Sequence, residues 1–265
     1  MPGLSKMERI VILNDTTSPC EYIKDNEFIS ENFIFPFAGP KDLEILLARG
    51  FRHFGPYFFR PICHRCGQCI PLRIPVKYFI ASRSVRRVLN KNKSLKTLLE
   101  KSKPKPEAFN LYQKHKLKFG ESSDLSYWDF CHSFFYPADF SFHLSMFSDN
   151  RLIGVSHLDI TGSVMSAVYT YYDTDLGALS LGTYAIAKAL EICVEIGLDF
   201  FYPGYFIQEC SRMNYKARFR PNQALIGEGE WIDFVSLFGK IIDEKAVKNG
   251  FFPQERFHPS WIAEG

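Results

Sequence analysis

Three evenly spaced cysteines are the residues best suited to chemistry in this chain, because Cys63, Cys66 and Cys69 form a C-x-x-C-x-x-C array. This spacing lets successive sulfurs converge on one centre, and four thiolates satisfy a tetrahedral zinc ion or an iron–sulfur cluster. Cys20, which follows a proline-containing turn, is the predicted fourth ligand. The alternative is a set of reduced, partly buried thiols without metal. A zinc site built from two pairs of ligands would need only two of the three cysteines of the array.

A strongly basic stretch follows the cysteines. Its acidic residues are Glu100 and Glu107, whereas its basic residues are Arg83, Arg86, Arg87, Lys91, Lys93, Lys96, Lys101, Lys103, Lys105, Lys114, Lys116 and Lys118. Such an excess of positive charge suits a polyanion, because neutralising phosphates releases condensed counterions. A solvated basic face is the alternative that charge alone leaves open.

The arginines of this stretch fall at the start of a short predicted helix, SRSVRRVLNK. Ser82 or Ser84 is a suitable N-cap, which places Arg83, Arg86 and Arg87 in the first turns. The exposed backbone N–H groups of a helix N-terminus add to the side-chain charge, and together they predict a contact with phosphate. Surface solubility is the alternative role for these arginines.

A strand-to-helix junction is the third candidate, and its residues are Ser180, Leu181, Gly182 and Thr183. Gly182 permits close approach of a ligand to the helix N-terminus and its free N–H groups. An ordinary tight turn would also explain a glycine at this position.

The elements of the N-terminal half must hold the cysteines. They are predicted as a strand at 7–13, a turn that delivers Cys20, a helix at 40–49 and strands at 51–54 and 57–61. A further extended piece, residues 70–76, contains Pro71 and Pro75. Because proline cannot donate a ladder hydrogen bond, this piece is predicted to lie at a sheet edge.

The C-terminal half shows a different order of elements. They are predicted as strands at 140–149, 151–160 and 163–173, a helix at 180–198, a strand at 199–206, a helix at 211–219 and a strand at 223–231. A strand meander followed by helix, strand, helix and strand is the order of an acetyltransferase-like (GNAT) α/β fold. Strands of that fold part to admit substrate, and Tyr202, Gly204 and Tyr205 stand at the predicted strand end, where core tyrosines are the alternative.

Length and composition fit an α/β (α+β) protein of one large or two medium domains, since the chain has 265 residues and 46% hydrophobic content. The predicted division gives a cysteine-containing N-terminal α/β domain, residues 1–104, and a C-terminal GNAT-like domain, residues 105–265. No signal peptide or membrane-crossing apolar run is evident, so we expect a cytoplasmic protein without membrane contact. In that compartment an odd number of cysteines, seven, argues against a disulfide framework.

Several motifs together resemble one known family. They are GFRHFGPYFFRPICHRCGQCIPLRIPV, SRSVRRVLNKN, YTYYDTD, SLGTYAI, YPGYFI and MNYKARFRP, in order from about Cys20 to Trp231. In type and order they resemble the arginyl-tRNA–protein transferase family, in its bacterial branch of aspartate/glutamate leucyltransferases. Pro203 and Arg212 stand where the family pattern leads us to expect an aliphatic residue and a lysine.

The resemblance implies an enzyme that moves leucine, or alternatively arginine, from aminoacyl-tRNA to the α-amine of proteins beginning with Asp or Glu, which marks them for degradation. The implied partners are aminoacyl-tRNA and acidic N-termini, the expected state is a monomer, and no organic cofactor is implied. Two alternatives come from other classes. An acyl-coenzyme A dependent N-acyltransferase would have more glycine than the loop LGALSLGT, and a non-catalytic RNA-binding protein with a structural metal would show repeated stacking residues.

The resemblance also implies roles for individual residues. Arg83, Arg86, Arg87 and Lys91 would grip the tRNA acceptor arm. The expected catalytic residues are Asp173, Tyr171 and Tyr205, with Asp173 holding the α-ammonium or relaying a proton.

The expected substrate-binding residues lie in the second half of the chain and are Ser180, Leu181, Gly182, Thr183, Tyr202, Gly204, Lys216 and Arg218. Backbone N–H groups of residues 180–183 would stabilise a tetrahedral oxyanion. Lys216 and Arg218, or an arginine of the N-terminal portion, would read the acidic side chain of the acceptor.

Overall fold

Two β-sheets, of four and eight strands, form the framework of the protein. The structure is a computed structural model that describes residues 9–120, 125–136, 138–227, 229–236, 240 and 250–263. Helices pack on the larger sheet, so the predicted mixed α/β class is confirmed.

The smaller sheet is antiparallel, with strand order β1-β2-β4-β3. Its strands are β1 (Val11–Pro19), β2 (Glu27–Ile34), β3 (Arg52–Phe54) and β4 (Tyr57–Pro61), and helix α1 (Pro40–Ala48) joins β2 to β3. The strand predicted at 7–13 continues to Pro19, because a bulge between Leu13 and Thr16 lets the following polar residues keep pairing with β2. Residues 7 and 8 lie outside the described part of the chain.

The larger sheet has the order β12-β11-β5-β10-β9-β8-β7-β6. Its strands are β5 (Ile70–Pro75), β6 (Lys96–Lys101), β7 (Ser141–Ser148), β8 (Arg151–Ile160), β9 (Val164–Tyr172), β10 (Phe200–Phe206), β11 (Asn222–Leu225) and β12 (Trp231–Val235). The predicted antiparallel meander is confirmed as β7, β8 and β9. The last predicted strand is two strands, β11 and β12, joined by a turn.

The prediction that residues 70–76 form a sheet edge is wrong. β5 lies inside the larger sheet, between β10 and β11. Its register with β11 covers Leu72 and Arg73, so Pro71 and Pro75 lie outside the paired residues on that side. On the other side both prolines lie in register with β10, opposite Tyr205 and Phe200. Because the pairing with β11 ends before either proline, their missing N–H groups interrupt no bond to β11.

The helices of the remaining chain are α2 (Arg83–Lys91), α3 (Pro106–Lys118), α4 (Tyr127–Phe134), α5 (Leu181–Ile196), α6 (Ser211–Asn214) and α7 (Ser260–Ala263). The hydroxyl of Ser82 accepts a hydrogen bond from Val85 N at 3.4 Å, which confirms the predicted N-cap of α2. The helix predicted at 211–219 is α6 followed by a 3₁₀ turn, Tyr215–Arg218. The apolar face of α5 packs on the larger sheet, and α2 packs against α5.

The predicted division between residues 104 and 105 stays a prediction. β5 and β6 precede that point and lie in the same sheet as the strands that follow it. Within the described ranges, no helix has both the length and the apolar character needed to cross a membrane.

A buried histidine–carboxylate pair joins the two sheets. His53 on β3 shares a hydrogen bond of 2.8 Å between Nε2 and Oδ2 of Asp159 on β8, and its Nδ1 lies 2.9 Å from Gly55 O. Burial by itself lowers the pKa of His53, but the Asp159 carboxylate outweighs it and the pKa is raised above its ordinary value. The imidazolium–carboxylate pair therefore stabilises the junction between the sheets.

Replacement of this carboxylate should destabilise the protein in a pH-dependent way. A raised folded pKa contributes stability that is fully present below the unfolded pKa of about 6.5 and is lost as the pH rises through the folded pKa. Asp159→Asn should therefore lower the free energy of unfolding by about 3–5 kcal/mol at pH 5.5 and by less at pH 9. Urea denaturation measures both values. Asp139→Asn, at an exposed position, is the control, and an equal loss at both pH values would contradict the pairing.

Candidate active site

A cleft opens where two neighbouring parallel strands part. β9 and β10 pair over residues 164–166 and 200–202, and beyond this register their residues lie on opposite walls. Residues 167–170 form one wall, residues 203–205 form the other, and the cleft has a volume of about 700 Å³. This is enough space for two small substrates side by side.

The parting of the strands has local causes. Pro203 has no N–H to donate, and it lies in a β-bulge between Phe201 and Gly204 where the register of β10 with β5 shifts. Arg52 of β3 fills the resulting fork. Its Nη1 donates to Ser166 Oγ at 3.0 Å, and its Nη2 donates to the carbonyl oxygen of Ala167.

Two cations flank one point at the floor of the cleft. Gly204 has a φ of +99°, a conformation that favours glycine, and a Cβ atom placed there would lie 3.2 Å from Lys216 Nζ and 4.0 Å from Arg52 Nη2. The absence of a side chain at Gly204 therefore leaves room for a ligand group against both cations.

The electrostatic environment of these cations favours an anion. Burial lowers the pKa of Arg52, and burial together with the Arg52 charge lowers the pKa of Lys216 to about 7. Lys216 Nζ has Met213 Sδ, a weak acceptor, at 3.4 Å. Neither cation forms an ion pair with a carboxylate of the described residues. Buried charges are costly without a partner, so a carboxylate entering this pocket would be strongly stabilised.

A helix N-terminus faces the cleft near its other end. Ser180, Leu181, Gly182 and Thr183 line the cleft at the start of α5. Ser180 adopts a left-handed conformation, with φ 53° and ψ 48°, and gives no side-chain cap. The first N–H groups of a helix lack intrahelical partners and carry partial positive charge, so they are available to an oxyanion.

Tyr215 and Lys216 are consecutive residues of one 3₁₀ turn, and they reach the two ends of the cleft, the N-terminus of α5 and the strand fork. A Cβ atom at Gly182 would lie 3.5 Å from Tyr215 Oη, while Lys216 Nζ approaches Gly204. Tyr172 of β9 lies on the same side, with its Cε1 3.6 Å from a Cβ atom placed at Gly182. The Tyr215–Arg218 turn thus places a hydroxyl beside the helix and an ammonium beside the strand fork.

The structure brings most of the expected substrate-binding residues together. Those that line the cleft are Ser180, Leu181, Gly182, Thr183, Gly204, Lys216 and, of the expected catalytic residues, Tyr205. Those outside its lining are Tyr202, Arg218, Tyr171 and Asp173.

Tyr171 and Asp173 are placed away from the substrate space by partners of their own. Tyr171 is fully buried and its hydroxyl lies 3.2 Å from His157 Nε2. The Asp173 carboxylate lies 2.5 Å from Lys114 Nζ and 2.8 Å from Arg151 Nη1. Although burial alone would raise it, the hydrogen bonds from these two cations lower the pKa of Asp173.

The other tyrosines also have defined surroundings. Tyr205 donates its hydroxyl to Gly50 O at 2.9 Å, and burial raises its pKa well above the ordinary value. Tyr202 packs edge-on against Trp231 in the core on the opposite side of the strand. Arg218 is exposed.

The predicted RNA-binding residues lie on α2, outside the cleft. Arg83, Arg86 and Arg87 are exposed along one side of the helix. Arg86 Nη1 donates to the carbonyl oxygen of Ala81, next to α2, at 2.5 Å. Lys91, which is also exposed, donates from Nζ to the carbonyl oxygen of Ala178, in the segment that leads into α5, at 2.7 Å.

The four predicted metal ligands share one neighbourhood. Burial raises the pKa of Cys63 and of Cys69, and the neighbouring thiols of Cys20 and Cys66 raise both further. Across the described residues, no group of three or more His, Cys, Asp or Glu side chains is arranged to hold a metal ion. The donor type fits zinc or an iron–sulfur cluster, but the positions give that prediction no support.

Two residues of the cleft were not singled out from the sequence. Arg52 lies within an aromatic segment, and nothing in its neighbours indicates that it reaches the fork between β9 and β10. Tyr215 precedes Lys216, so the motif MNYKARFRP contained the signal without indicating its direction. Contact between distant segments, not spacing, defines both roles.

Comparisons with known proteins agree with this geometry. The family model described as the N terminus of arginine-tRNA-protein transferase matches residues 18–87, and the model described as its C terminus matches residues 107–226. An aspartate/glutamate leucyltransferase of Campylobacter jejuni strain RM1221 is 34% identical over 229 residues, which is 83% of this chain and 95% of the relative. The chain belongs to the arginine-tRNA-protein transferase family, in its aspartate/glutamate leucyltransferase branch.

Other members of this branch are also similar to the chain. The aspartate/glutamate leucyltransferase of Pseudomonas fluorescens is 31% identical over 235 residues, covering 86% of this chain and 99% of the relative. That of Aeromonas hydrophila is 37% identical over 194 residues, covering 71% and 79%. The family assignment therefore rests on 79% to 99% of the length of these relatives, and the chain is an aminoacyl-tRNA–protein transferase.

Similarity to solved structures is more distant. The C-terminal domain of a lysylphosphatidylglycerol synthetase from Agrobacterium fabrum has a TM-score of 0.42 at 11% identity, covering 53% of this chain and 47% of that one. A protein from Bacteroides thetaiotaomicron has a TM-score of 0.41 at 8% identity, covering 58% and 55%. The chain thus spans about half the length of those structures.

Filling the space in front of α5 should block the transferase activity without unfolding the protein. In Gly182→Val the extra methyl groups would extend past the Cβ position toward Tyr215 and into the cleft. We expect at least tenfold slower aminoacyl transfer with a melting temperature within about 2 °C of the wild type, since valine and glycine differ in helix propensity by roughly a few tenths of a kcal/mol, in favour of valine. Gly162→Val, where a Cβ atom meets nothing within 4 Å, is the control. Full activity of Gly182→Val would show that this end of the cleft does not bind the substrates.

Proposed function

We propose that the protein transfers a leucyl group from leucyl-tRNA to the α-amine of proteins that begin with Asp or Glu. The observation that carries this proposal is one cleft with two complementary ends: Arg52 and Lys216 without an anionic partner among the described residues, and the open N-terminus of α5. The first suits an acidic side chain, and the second suits the carbonyl oxygen of an aminoacyl ester. The names of the relatives agree with this assignment.

The reaction needs positioning more than chemical activation. An α-amine with a pKa of about 7.7–8.0 is substantially unprotonated near neutral pH, and the aminoacyl ester is already activated. The amine nitrogen attacks the ester carbonyl carbon, the C–N bond forms, and the C–O bond to the terminal ribose breaks. The departing ribose oxygen takes up the proton that the amine loses, so no covalent enzyme intermediate is required.

Backbone N–H groups at the start of α5 stabilise the tetrahedral oxyanion in this proposal. Leu181, Gly182 and Thr183 supply donors fixed by the helix before the substrates arrive, and such preorganised donors act on the charge as it develops. The Tyr215 hydroxyl lies beside them and offers a further donor.

The acidic side chain of the acceptor binds against Arg52 and Lys216. A guanidinium fixed by Ser166 and Ala167 presents a rigid donor, and an ammonium on the opposite side completes the recognition. A neutral N-terminal residue would leave both cations unpaired, which explains selectivity for Asp and Glu.

The donor amino acid packs against the wall near α5. This wall consists largely of aromatic and aliphatic side chains, including Leu181, Ile186 and Tyr172. Among the described residues of the cleft, the acidic one is Glu21, which is exposed. An arginyl side chain would need a buried carboxylate partner, so a leucyl side chain is favoured.

The tRNA lies across the basic side of the protein. Arg83, Arg86 and Arg87 contact phosphates of the acceptor arm from α2, which packs directly against α5. Lys116 and Arg212 line the cleft and add positive charge along the path of the 3′ end. The single-stranded end thereby reaches the start of α5.

The wider biological setting completes the proposal. The larger sheet with α5 forms a GNAT-like unit, in which the parallel pair β9–β10 parts at the acyl site. The protein acts as a cytoplasmic monomer, and the leucine that it adds makes the acceptor a substrate for degradation. A structural zinc ion or iron–sulfur cluster at the four cysteines is a separate proposal. It rests on the donor type alone and has no part in the transfer reaction.

A transfer assay tests the function directly. The protein is incubated with labelled leucyl-tRNA or arginyl-tRNA and with peptides that begin with Asp, Glu, Ala or Arg. Label from leucyl-tRNA should move to the Asp and Glu peptides at least a hundredfold faster than to the Ala and Arg peptides. Equal transfer to all four peptides, or transfer only from arginyl-tRNA, would refute the assignment.

Removal of either cation should weaken acceptor recognition. Arg52→Gln and Lys216→Met should each raise the KM for the Asp peptide at least thirtyfold, since loss of one charged partner in a buried pair costs about 2–5 kcal/mol. The KM for leucyl-tRNA should stay within about threefold. Lys77→Met removes an exposed lysine outside the cleft and serves as the control. An unchanged KM for the Asp peptide in both variants would place the acidic side chain elsewhere.

A further inference from the structure

The segment that leads into α5 is held in place at both of its ends. This segment is the 3₁₀ turn Thr174–Leu179, called the α5-entry turn below. At its first end, Asp173 accepts a hydrogen bond from Asp175 N at 3.2 Å, and Lys114 Nζ lies 2.5 Å from Asp173 Oδ1 and 2.6 Å from Asp175 Oδ2. The first end of the turn is therefore fixed to α3.

The second end is fixed to α2. Lys91 Nζ donates to Ala178 O at 2.7 Å, and Asn92 Nδ2 donates to Leu179 O at 2.8 Å. Asn92 caps the C-terminus of α2 and is 1% exposed, so its amide acts in a buried environment. A buried carbonyl left without a donor is unfavourable, which makes this bond hard to replace with water.

These bonds hold a backbone conformation that the chain would not adopt by itself. Ser180 follows directly and has φ 53°, a left-handed conformation that is uncommon for a residue other than glycine. Its side chain makes no capping bond to the helix. Such a conformation persists where the surroundings determine it, and the bonds to Ala178 and Leu179 are the contacts immediately before it.

The donors belong to the two basic helices. Lys91 and Asn92 end α2, whose exposed arginines are the proposed tRNA contacts, and Lys114 belongs to α3. One rigid helix therefore carries phosphate contacts at its start and holds the acyl-binding N-terminus of α5 from its end. The ammonium group of Lys91, although exposed, bonds to the turn, whereas its position in the sequence predicts a phosphate contact.

We propose that Lys91 and Asn92 are positioning residues that hold the α5-entry turn, so that the N–H groups of α5 face the substrate. Asp173 supports the opposite end of the same turn through Lys114. This inference rests on the proposed function, because the consequence of a misplaced α5 N-terminus is a slower transfer step. RNA binding and acyl placement are then coupled through α2.

Kinetics separate this role from direct binding of RNA. The variants are Lys91→Met and Asn92→Ala, with Lys93→Met as the matched control because Lys93 is exposed on the same helix end and makes no bond to the turn. We measure the Kd for uncharged tRNA and the single-turnover rate at saturating leucyl-tRNA. Lys91→Met and Asn92→Ala should lower the rate about tenfold to a hundredfold and leave the Kd within twofold, since a misplacement of about 1 Å is enough for such a loss.

The control should behave in the opposite way. Lys93→Met should raise the Kd for tRNA by a small factor and leave the saturated rate unchanged. If Lys91→Met raises the Kd as Lys93→Met does and keeps the wild-type rate, Lys91 is a phosphate contact and the inference is overturned.

A second substitution tests the cause of the defect. Ser180→Gly removes the conformational restriction at the left-handed position, so adding it to Asn92→Ala should restore at least a third of the lost rate. If circular dichroism shows that both proteins are folded and the rate does not recover, Asn92 does not act by holding the conformation of Ser180. Hydrogen exchange of the backbone amides of residues 174–183 should be faster in Asn92→Ala than in Lys93→Met. This measurement tests the same contact without an activity assay. Absence of transfer by the wild type would instead refute the proposed function.

Discussion

β9 and β10 share hydrogen bonds over residues 164–166 and 200–202 and then separate, and the cleft exists because of this short register. A sheet that parts leaves backbone groups without ladder partners. Pro203 removes one donor, and Arg52 binds Ser166 and the carbonyl of Ala167. In the proposed function the guanidinium that stabilises the fork also binds the acidic side chain of the acceptor, so the stability of the site and its specificity would share one side chain.

In the proposed mechanism the site acts through charges at the two ends of an open cleft. Arg52 carries positive charge where burial disfavours it, burial and the Arg52 charge lower the pKa of Lys216 to about 7, and the N-terminus of α5 adds partial charge from the backbone. Neither end requires a side chain that forms a covalent bond to the substrate. This arrangement suits the joining of an amine to an ester that is already activated, because orientation supplies most of the required acceleration.

Local sequence patterns predicted the elements better than their partners. The meander, α2 with its Ser82 cap and the long helix α5 follow from hydrophobic period and turn residues, and all are confirmed. β5 was misplaced because two prolines indicate an edge strand unless the neighbouring strand is very short. For the site, the junction at Ser180 and the residues Gly204 and Lys216 were recognised by motif, whereas Arg52 was not singled out.

The sequence by itself determined the order of helices and strands, the family and the residues near the start of α5, because these depend on neighbours along the chain. Tertiary structure alone decided which side chains meet. Arg52 and Lys216 are far apart in sequence and flank one point, while Lys91 bonds to the α5-entry turn and Asp173 bonds to Lys114 beside that turn. Direction of a side chain depends on the packing of whole sheets, and no local pattern encodes that.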